Sequence, residues 1–205
     1  GQTRINVKMK RPRADGSLEE TEINGCGPAV DPVAIATLRR RIERLGSDDC
    51  LVLSGSLAPG CPADLYADLA AAAAEHGARC VVDTTGTALT EALAARPFLV
   101  KPNNHELAEL AGCDAADEAA VVAAARDLAR AGARFVLVSC GAAGALLVDA
   151  KGLIARGAAP AGALVNSVGA GDSMVAGFLA GLAGASLPGC ESLCPGADDA
   201  VYALR

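Results

Sequence analysis

Residues 166–172 read Asn-Ser-Val-Gly-Ala-Gly-Asp, and the last four carry the sharpest chemical signal in the chain. Gly169, Ala170 and Gly171 are small enough for backbone N–H groups to approach a ligand without obstruction. The helix that begins there adds the positive end of its dipole, and together these features make an anion site suited to phosphate. Asp172, kept ionised by the same dipole, has the chemistry to accept a proton from an attacking hydroxyl. The plainer reading of Asp172 is a helix cap. No Gly-Lys-Ser/Thr follows, so this is not a Walker A loop. No G-x-G-x-x-G opens a helix after the first strand, so it is not a dinucleotide fingerprint either.

A second polar run, Lys101-Pro102-Asn103-Asn104-His105-Glu106, directly follows an apolar strand. Asn103 and Glu106 are three apart and share a face on a helical turn. An amide and a carboxylate there suit Mg²⁺ held through waters. They equally suit a helix cap in which Glu106 satisfies free N–H groups. Lys101 is either a phosphate ligand or an ordinary surface lysine. His105 reads as a solvated side chain and His76 as a helix-end residue. Ser54-Gly55-Ser56 and Asp83-Thr84-Thr85-Gly86 are polar strand exits able to bind sugar hydroxyls or phosphate, or to be ordinary turns. Gly141-Ala142-Ala143-Gly144 reads as a tight turn between two strands.

Composition narrows the classes. Among 205 residues, Lys and Arg number 18 against 24 Asp and Glu, a net charge of −6 that argues against a nucleic-acid binder. The chain is 52% hydrophobic, enough for a real core. Aromatics are 2% with no Trp, so platforms built on aromatic stacking are not expected. Cys50, Cys80 and Cys140 lie within or at the ends of apolar strand-like runs, where a thiol is expected as a small buried hydrophobe. Cys26, Cys61 and Cys113 stand alone in loops. Cys190 and Cys194 are close but lack the second ligand pair of a zinc site. The N-terminus lacks the apolar segment of a signal peptide, and a reduced, cytoplasmic protein is expected. The uncharged stretch Ser173–Cys190 is rich in glycine and is read as a buried helix ending near Gly184, not a membrane span.

The elements that must position these residues follow from periodicity. Residues 3–10 alternate, with Ile5, Val7 and Met9 on one face, which predicts a half-exposed strand. A second strand at about 18–24 returns after the Asp15-Gly16 turn. Asp31-Pro32 starts a helix that runs to Leu45. Then strands at 51–53, 80–82, 98–100 and 135–138 alternate with helices at 62–76, 87–95, after 103, and 117–131. The segment 145–148 follows the GAAG turn, with another turn at Lys151-Gly152. Apolar strands without alternation, separated by helices, predict a largely parallel sheet covered on both faces. Its ligand then lies beyond the carboxyl ends of the strands, where all the polar motifs fall. One domain is expected over 1–205, with residues 1–24 as a hairpin and 25–205 as the α/β core.

In order along the chain, these motifs resemble the ribokinase-like (PfkB) family of carbohydrate kinases. Residues 166–179 (NSVGAGDSMVAGFL) look like its C-terminal signature and KPNNHE like its Asn-x-x-Glu magnesium motif. GQTRINVKMK, TEINGCGP, LSGSLAPG and DTTGTAL are similar to the branch that acts on ketohexose phosphates. The resemblance implies a three-layer α/β/α sandwich with a β-hairpin lid, ATP and Mg²⁺, and no nucleic-acid or membrane partner. It implies phosphoryl transfer to a phosphorylated ketohexose, fructose 1-phosphate foremost. Tagatose 6-phosphate, fructose 6-phosphate or a non-catalytic binding relative are the other readings. By it Asp172 is the catalytic base, and Gly169, Ala170 and Gly171 form the anion hole. Asn103 and Glu106 organise Mg²⁺, and Lys101, Asn103, Ser139, Gly141 and Gly144 line the nucleotide site. Arg4 and Ser54 face the phosphate end of the sugar. The hairpin is the lid, through which relatives often dimerise. Against the family pattern, the chain is expected to lack segments at both ends. Cys140 replaces an aliphatic residue, Asn166-Ser167 replaces a Ser/Asp-Thr pair, and Cys190 and Cys194 fall in an inserted loop.

Overall fold

A computed structural model describes residues 3–13, 15, 18–162 and 168–184. Asn166, Ser167, Cys190 and Cys194 lie outside the described residues.

The two N-terminal strands, β1 (Asn6–Pro12) and β2 (Leu18–Asn24), form an antiparallel hairpin apart from the main sheet. Val7 stands opposite Ile23 and Lys8 opposite Glu22, the latter pair closing a 2.7 Å ion pair. The predicted alternation is present, but its apolar side is not covered. Ile5 is 65% exposed, Val7 45%, Met9 48% and Ile23 56%. The half-exposed strand of the sequence reading is thus exposed on both sides, because among the described residues no helix or second sheet packs on the hairpin.

The main sheet runs β3 (Cys50–Ser54), β4 (Arg79–Asp83), β5 (Leu99–Val100), β6 (Phe135–Ser139), β7 (Ala145–Asp149), β8 (Gly152–Gly157), in that spatial order. Strands β3 to β6 are parallel. The all-helical crossovers end at β6, after which the short turns at 140–144 and 150–151 can only reverse the chain, so β7 and β8 are antiparallel. The strand β8 carries no periodic signal and has no counterpart in the sequence reading.

Right-handed crossovers between strands laid down in one direction put every connecting helix on the same face. Accordingly α1 (Pro32–Ile42), α2 (Leu65–Glu75), α3 (Gly86–Ala92), α4 (Asn104–Ala111) and α5 (Glu118–Ala131) share one apolar cluster with Cys80, Val82, Val100, Val136, Val138, Leu146 and Val148. The alternate strand residues Val81, Leu99, Phe135, Leu137, Ala145 and Leu147 face the other way. There α6 (Ala170–Leu182) covers them through Val175 and Phe178. The result is three layers, with α6 alone on the second face among the described residues. It also corrects the expectation of a buried helix over the uncharged stretch. Only one stripe of α6 is buried, and Asp172, Ser173 and Ala176 are exposed. No helix among the described residues is long and apolar enough to cross a membrane.

Local chemistry explains where the helices start and stop. Asp31 accepts from the Ala34 amide at 2.7 Å, with Pro32 at the first helical position. The chain leaves α1 at Ile42, three residues before the expected Leu45, through three-residue turns from Arg44 to Arg41 and Leu45 to Ile42. Asp117 caps α5. Gly132 ends it at φ 155°, where a Cβ would lie 2.1 Å from the Leu93 carbonyl.

Candidate functional site

The polar motifs meet at one edge of the sheet. Ser54 ends β3 and pairs in register with Asp83, which ends β4. The Lys101 amide donates to the Val82 carbonyl at 3.0 Å, the Ser139 amide to the Pro102 carbonyl at 3.1 Å, and Asn103 bridges to Ser139. All four sit at carboxyl ends of parallel strands, where the crossover rule puts a ligand crevice.

Lys101 is not a surface lysine. It is 6% exposed, and its Nζ lies 3.1 Å from Asp83 Oδ1. The ammonium also presses against the start of α6, where a Cβ on Gly171 would stand 3.1 Å from Nζ. One buried cation therefore joins β4, β5 and the Gly-Ala-Gly-Asp turn across the two faces of the sheet. Sequence reasoning grouped Asp83 with a polar turn and did not pair it with Lys101. Its position directly after a buried strand was the available signal.

At that turn, Gly169 is the N-cap, with φ 77°, a left-handed conformation that favours glycine. The Ser173 amide is the first to bond back, to the Gly169 carbonyl at 2.8 Å. The amides of Ala170, Gly171 and Asp172 precede it at the open helix end. Asp172 lies in the first turn, exposed, and is not the cap. The arrangement sets amides, a helix dipole and a carboxylate in one turn of chain, with the Lys101 ammonium against it.

Asn103 and Glu106 adopt the capping reading. The Glu106 amide donates to Asn103 Oδ1 and the Asn103 amide to Glu106 Oε2, both at 2.8 Å. This closed box fixes α4 beside Ser139. It uses one oxygen of Glu106 and leaves the other on a half-buried carboxylate at the start of α4. That donor suits Mg²⁺, which binds one or two carboxylates and keeps its waters. No cluster of three metal-ligating side chains occurs among the described residues.

Gly141 and Gly144 divide. Gly144 closes the turn, its carbonyl accepting from the Cys140 amide at 2.8 Å. At φ 90°, any Cβ there would lie 2.0 Å from the Gly157 carbonyl. It is required by the β7–β8 packing, as the turn reading held. Gly141, at φ 54°, has open space where a Cβ would go and leaves room for a ligand beside Ser139.

Arg4 reaches the core from the hairpin, but its partner is Ser56, two residues on from Ser54. Arg4 Nη1 donates to Ser56 Oγ at 2.5 Å, and Nε to Asn6 Oδ1 at 3.0 Å. Ser54 is exposed beside it. His105 and His76 are exposed and touch none of this. Of the three strand cysteines, only Cys80 is buried. Burial pushes its thiol up to about 12, with Cys50 adding to the shift. Cys140 is half-buried. Cys50 is exposed, correcting the expectation, because β3 is the edge of the described sheet.

Comparison with known proteins agrees with this fold. Residues 2–192 match the model described as pfkB family carbohydrate kinase. The 1-phosphofructokinase of Bacillus subtilis is 42% identical over 182 residues, covering 89% of this chain and 58% of that protein. The 1-phosphofructokinase of Rhodobacter capsulatus is 43% identical, covering 87% and 56%. Phosphofructokinase-2 of Escherichia coli in complex with fructose-6-phosphate is similar in structure, with TM-score 0.73 and 34% identity over 89% of this chain and 59% of that one. The chain thus spans less than three fifths of the length of these curated relatives.

Proposed function

Because the chain belongs to the pfkB family of carbohydrate kinases, we propose that the protein carrying it transfers the terminal phosphoryl group of ATP to a hydroxyl of fructose 1-phosphate, giving fructose 1,6-bisphosphate. The observation that carries this reading is the buried Lys101 ammonium set against Gly171 at the open end of α6, one residue before Asp172.

Phosphoryl transfer of this kind has a loose transition state, so positioning and charge neutralisation matter more than a strong base. The Asp172 carboxylate takes the proton of the acceptor hydroxyl. The acceptor oxygen bonds to the phosphorus as the bond to ADP breaks. The amides at Gly169, Ala170 and Gly171 face the charge on the migrating group, and Lys101 adds a full positive charge that needs no reorganisation. Ser139, Gly141 and Asn103 border the nucleotide side, and Gly144 keeps that loop closed on β8. Asn103 and Glu106 would hold Mg²⁺, which neutralises phosphate oxygens when bound. Arg4 and Ser54, with Ser56, face the substrate phosphate. The hairpin lid excludes water, and so limits ATP hydrolysis. Such an enzyme works in the cytoplasm, where its ATP is.

The exposed Ile5, Val7, Met9 and Ile23 side of the lid supports a homodimer formed through the hairpins. The Escherichia coli phosphofructokinase-2 has a tetrameric inhibited form, so relatives of this fold do assemble.

The test is an ADP-release assay on the full-length protein with fructose 1-phosphate, fructose 6-phosphate and tagatose 6-phosphate. Turnover is expected with Mg²⁺ and highest on fructose 1-phosphate. Asp172→Asn should lower kcat by ~10²-fold or more, with the fold unchanged. Near-normal turnover in that variant removes Asp172 from its role, and preference for another acceptor replaces the substrate.

A further inference from the structure

Tyr66 was not among the residues that chemistry singles out in the sequence, yet it is one of the few polar groups in the core. It lies in the first turn of α2 and is 8% exposed. Its hydroxyl lies 3.1 Å from the Ser54 carbonyl and 3.1 Å from the Gly55 carbonyl. A phenol has one proton, so it is shared between the two acceptors. A second buried hydroxyl relieves the competition. Thr84, 6% exposed, donates from Oγ1 to the Gly55 carbonyl at 2.9 Å. The phenol proton is then free to serve Ser54.

These bonds fall where the loop is otherwise soft. Gly55 has φ 90° and nothing within 4 Å of where a Cβ would stand, so no side-chain packing fixes its backbone. Besides the 2.9 Å bond from its amide to the Asp83 carbonyl, the two hydroxyls are what hold it. The residues on either side, Ser54 and Ser56, are exposed, and Ser56 receives Arg4 from the lid. Packing alone would be met by Phe at position 66, and among the described residues the hydroxyl's acceptors are both on this loop. Burial, with Cys61 and Asp83 nearby, raises the Tyr66 phenol pKa, so the group stays a donor.

We propose that Tyr66, seconded by Thr84, is a positioning residue that sets the backbone of the Ser54–Ser56 loop for the phosphate end of the sugar substrate. This rests on the phosphofructokinase reading above. Tyr66 touches no reacting atom. It fixes the two serines and, through Ser56, the point where Arg4 docks.

The experiment measures steady-state kinetics of the full-length protein with fructose 1-phosphate and ATP. Tyr66→Phe keeps the ring and removes the hydroxyl. It should raise KM for fructose 1-phosphate ~5-fold, as loss of one net hydrogen bond implies, while kcat and KM for ATP stay nearly constant. Thr84→Val should shift the same KM, and Thr84→Ser should restore it. Val121→Ala, in the core of α5, serves as the comparison for lost stability and should lower the melting temperature without moving KM. An unmoved KM in Tyr66→Phe, or an equal rise in Val121→Ala, overturns the assignment while leaving the kinase reading intact. Absence of turnover by the unsubstituted protein on all three sugar phosphates overturns the reading and the assignment with it.

Discussion

The Lys101 ammonium lies 3.1 Å from the point where a side chain on Gly171 would begin. The cation comes from the end of β5, and the glycine from the helix on the opposite face of the sheet. Asp83 holds the cation there from the neighbouring strand. The absent side chain is therefore as much a part of the proposed anion site as the groups that are present.

Gly171→Ala should separate catalysis from stability. Gly171 is helical and not at positive φ, so alanine is the better helix former by ~1 kcal/mol. The added methyl forces the buried ammonium to move by a few tenths of an ångström while Asp83 resists. Turnover is expected to fall ~10-fold with a melting temperature equal to or above that of the unsubstituted protein. Unchanged kcat would show that the ammonium has slack and that the contact is only packing.

Glu106 caps α4 and, in the proposed function, also holds Mg²⁺, and one substitution divides the two roles. Gln satisfies a capping box as well as Glu does, but it is no carboxylate for a hard cation. Glu106→Gln should therefore unfold at the same temperature and need more Mg²⁺ for half-maximal activity. Glu106→Ala should lose both, with a stability cost of ~1 kcal/mol for the broken cap. A magnesium titration across the three proteins checks this. Equal magnesium requirements would leave Glu106 a cap alone.

Much of the fold is legible because its signals are local. The strands around 52, 81, 99 and 137 are apolar runs, and Asp31-Pro32, Asp117 and Gly132 mark helix ends by chemistry confined to one turn. The shared sheet edge of Ser54, Asp83, Lys101 and Ser139 follows too, since each comes at or directly after the end of an apolar strand. What the sequence conceals are relations between distant residues. Lys101 reads equally as a phosphate ligand or a surface lysine until Asp83 and Gly171 are beside it. Nothing in the sequence singles out Tyr66 until the Ser54 carbonyl is found within reach of its hydroxyl. The reversal into β7 is legible in the Gly141–Gly144 turn, but β8 has no pattern to announce it. The capping and magnesium readings of Asn103 and Glu106 use identical residues at identical spacing, so only coordinates expose the closed box.

The exposed apolar stripe of the hairpin predicts assembly. An isolated two-stranded hairpin is marginal in water, and here its apolar side lies open while Val7 faces Ile23 across the strands. Pairing two hairpins would cover both stripes. Val7→Asp combined with Ile23→Lys should leave the α/β core folded and shift the full-length protein to monomer in light scattering. Retention of the oligomer would put the interface elsewhere.

Cys80 predicts an alkaline limit to stability. Its thiol sits at about 12 in the fold against an ordinary value of 9.0, because burial between the sheet and the helices disfavours the thiolate. The unfolded chain gives up this proton near 9 while the folded chain keeps it. The raised value thus contributes stability that is whole below pH 9 and is lost as pH climbs toward 12. Across that window the slope from this one group approaches ~1.4 kcal/mol per pH unit. Urea unfolding of the unsubstituted protein and of Cys80→Ala, followed from neutral to alkaline pH, should show the alkaline slope reduced by that amount in the variant. Equal slopes would mean the thiol ionises in the fold as readily as in the unfolded chain, and that the space around it opens to water far more than its 4% exposure implies.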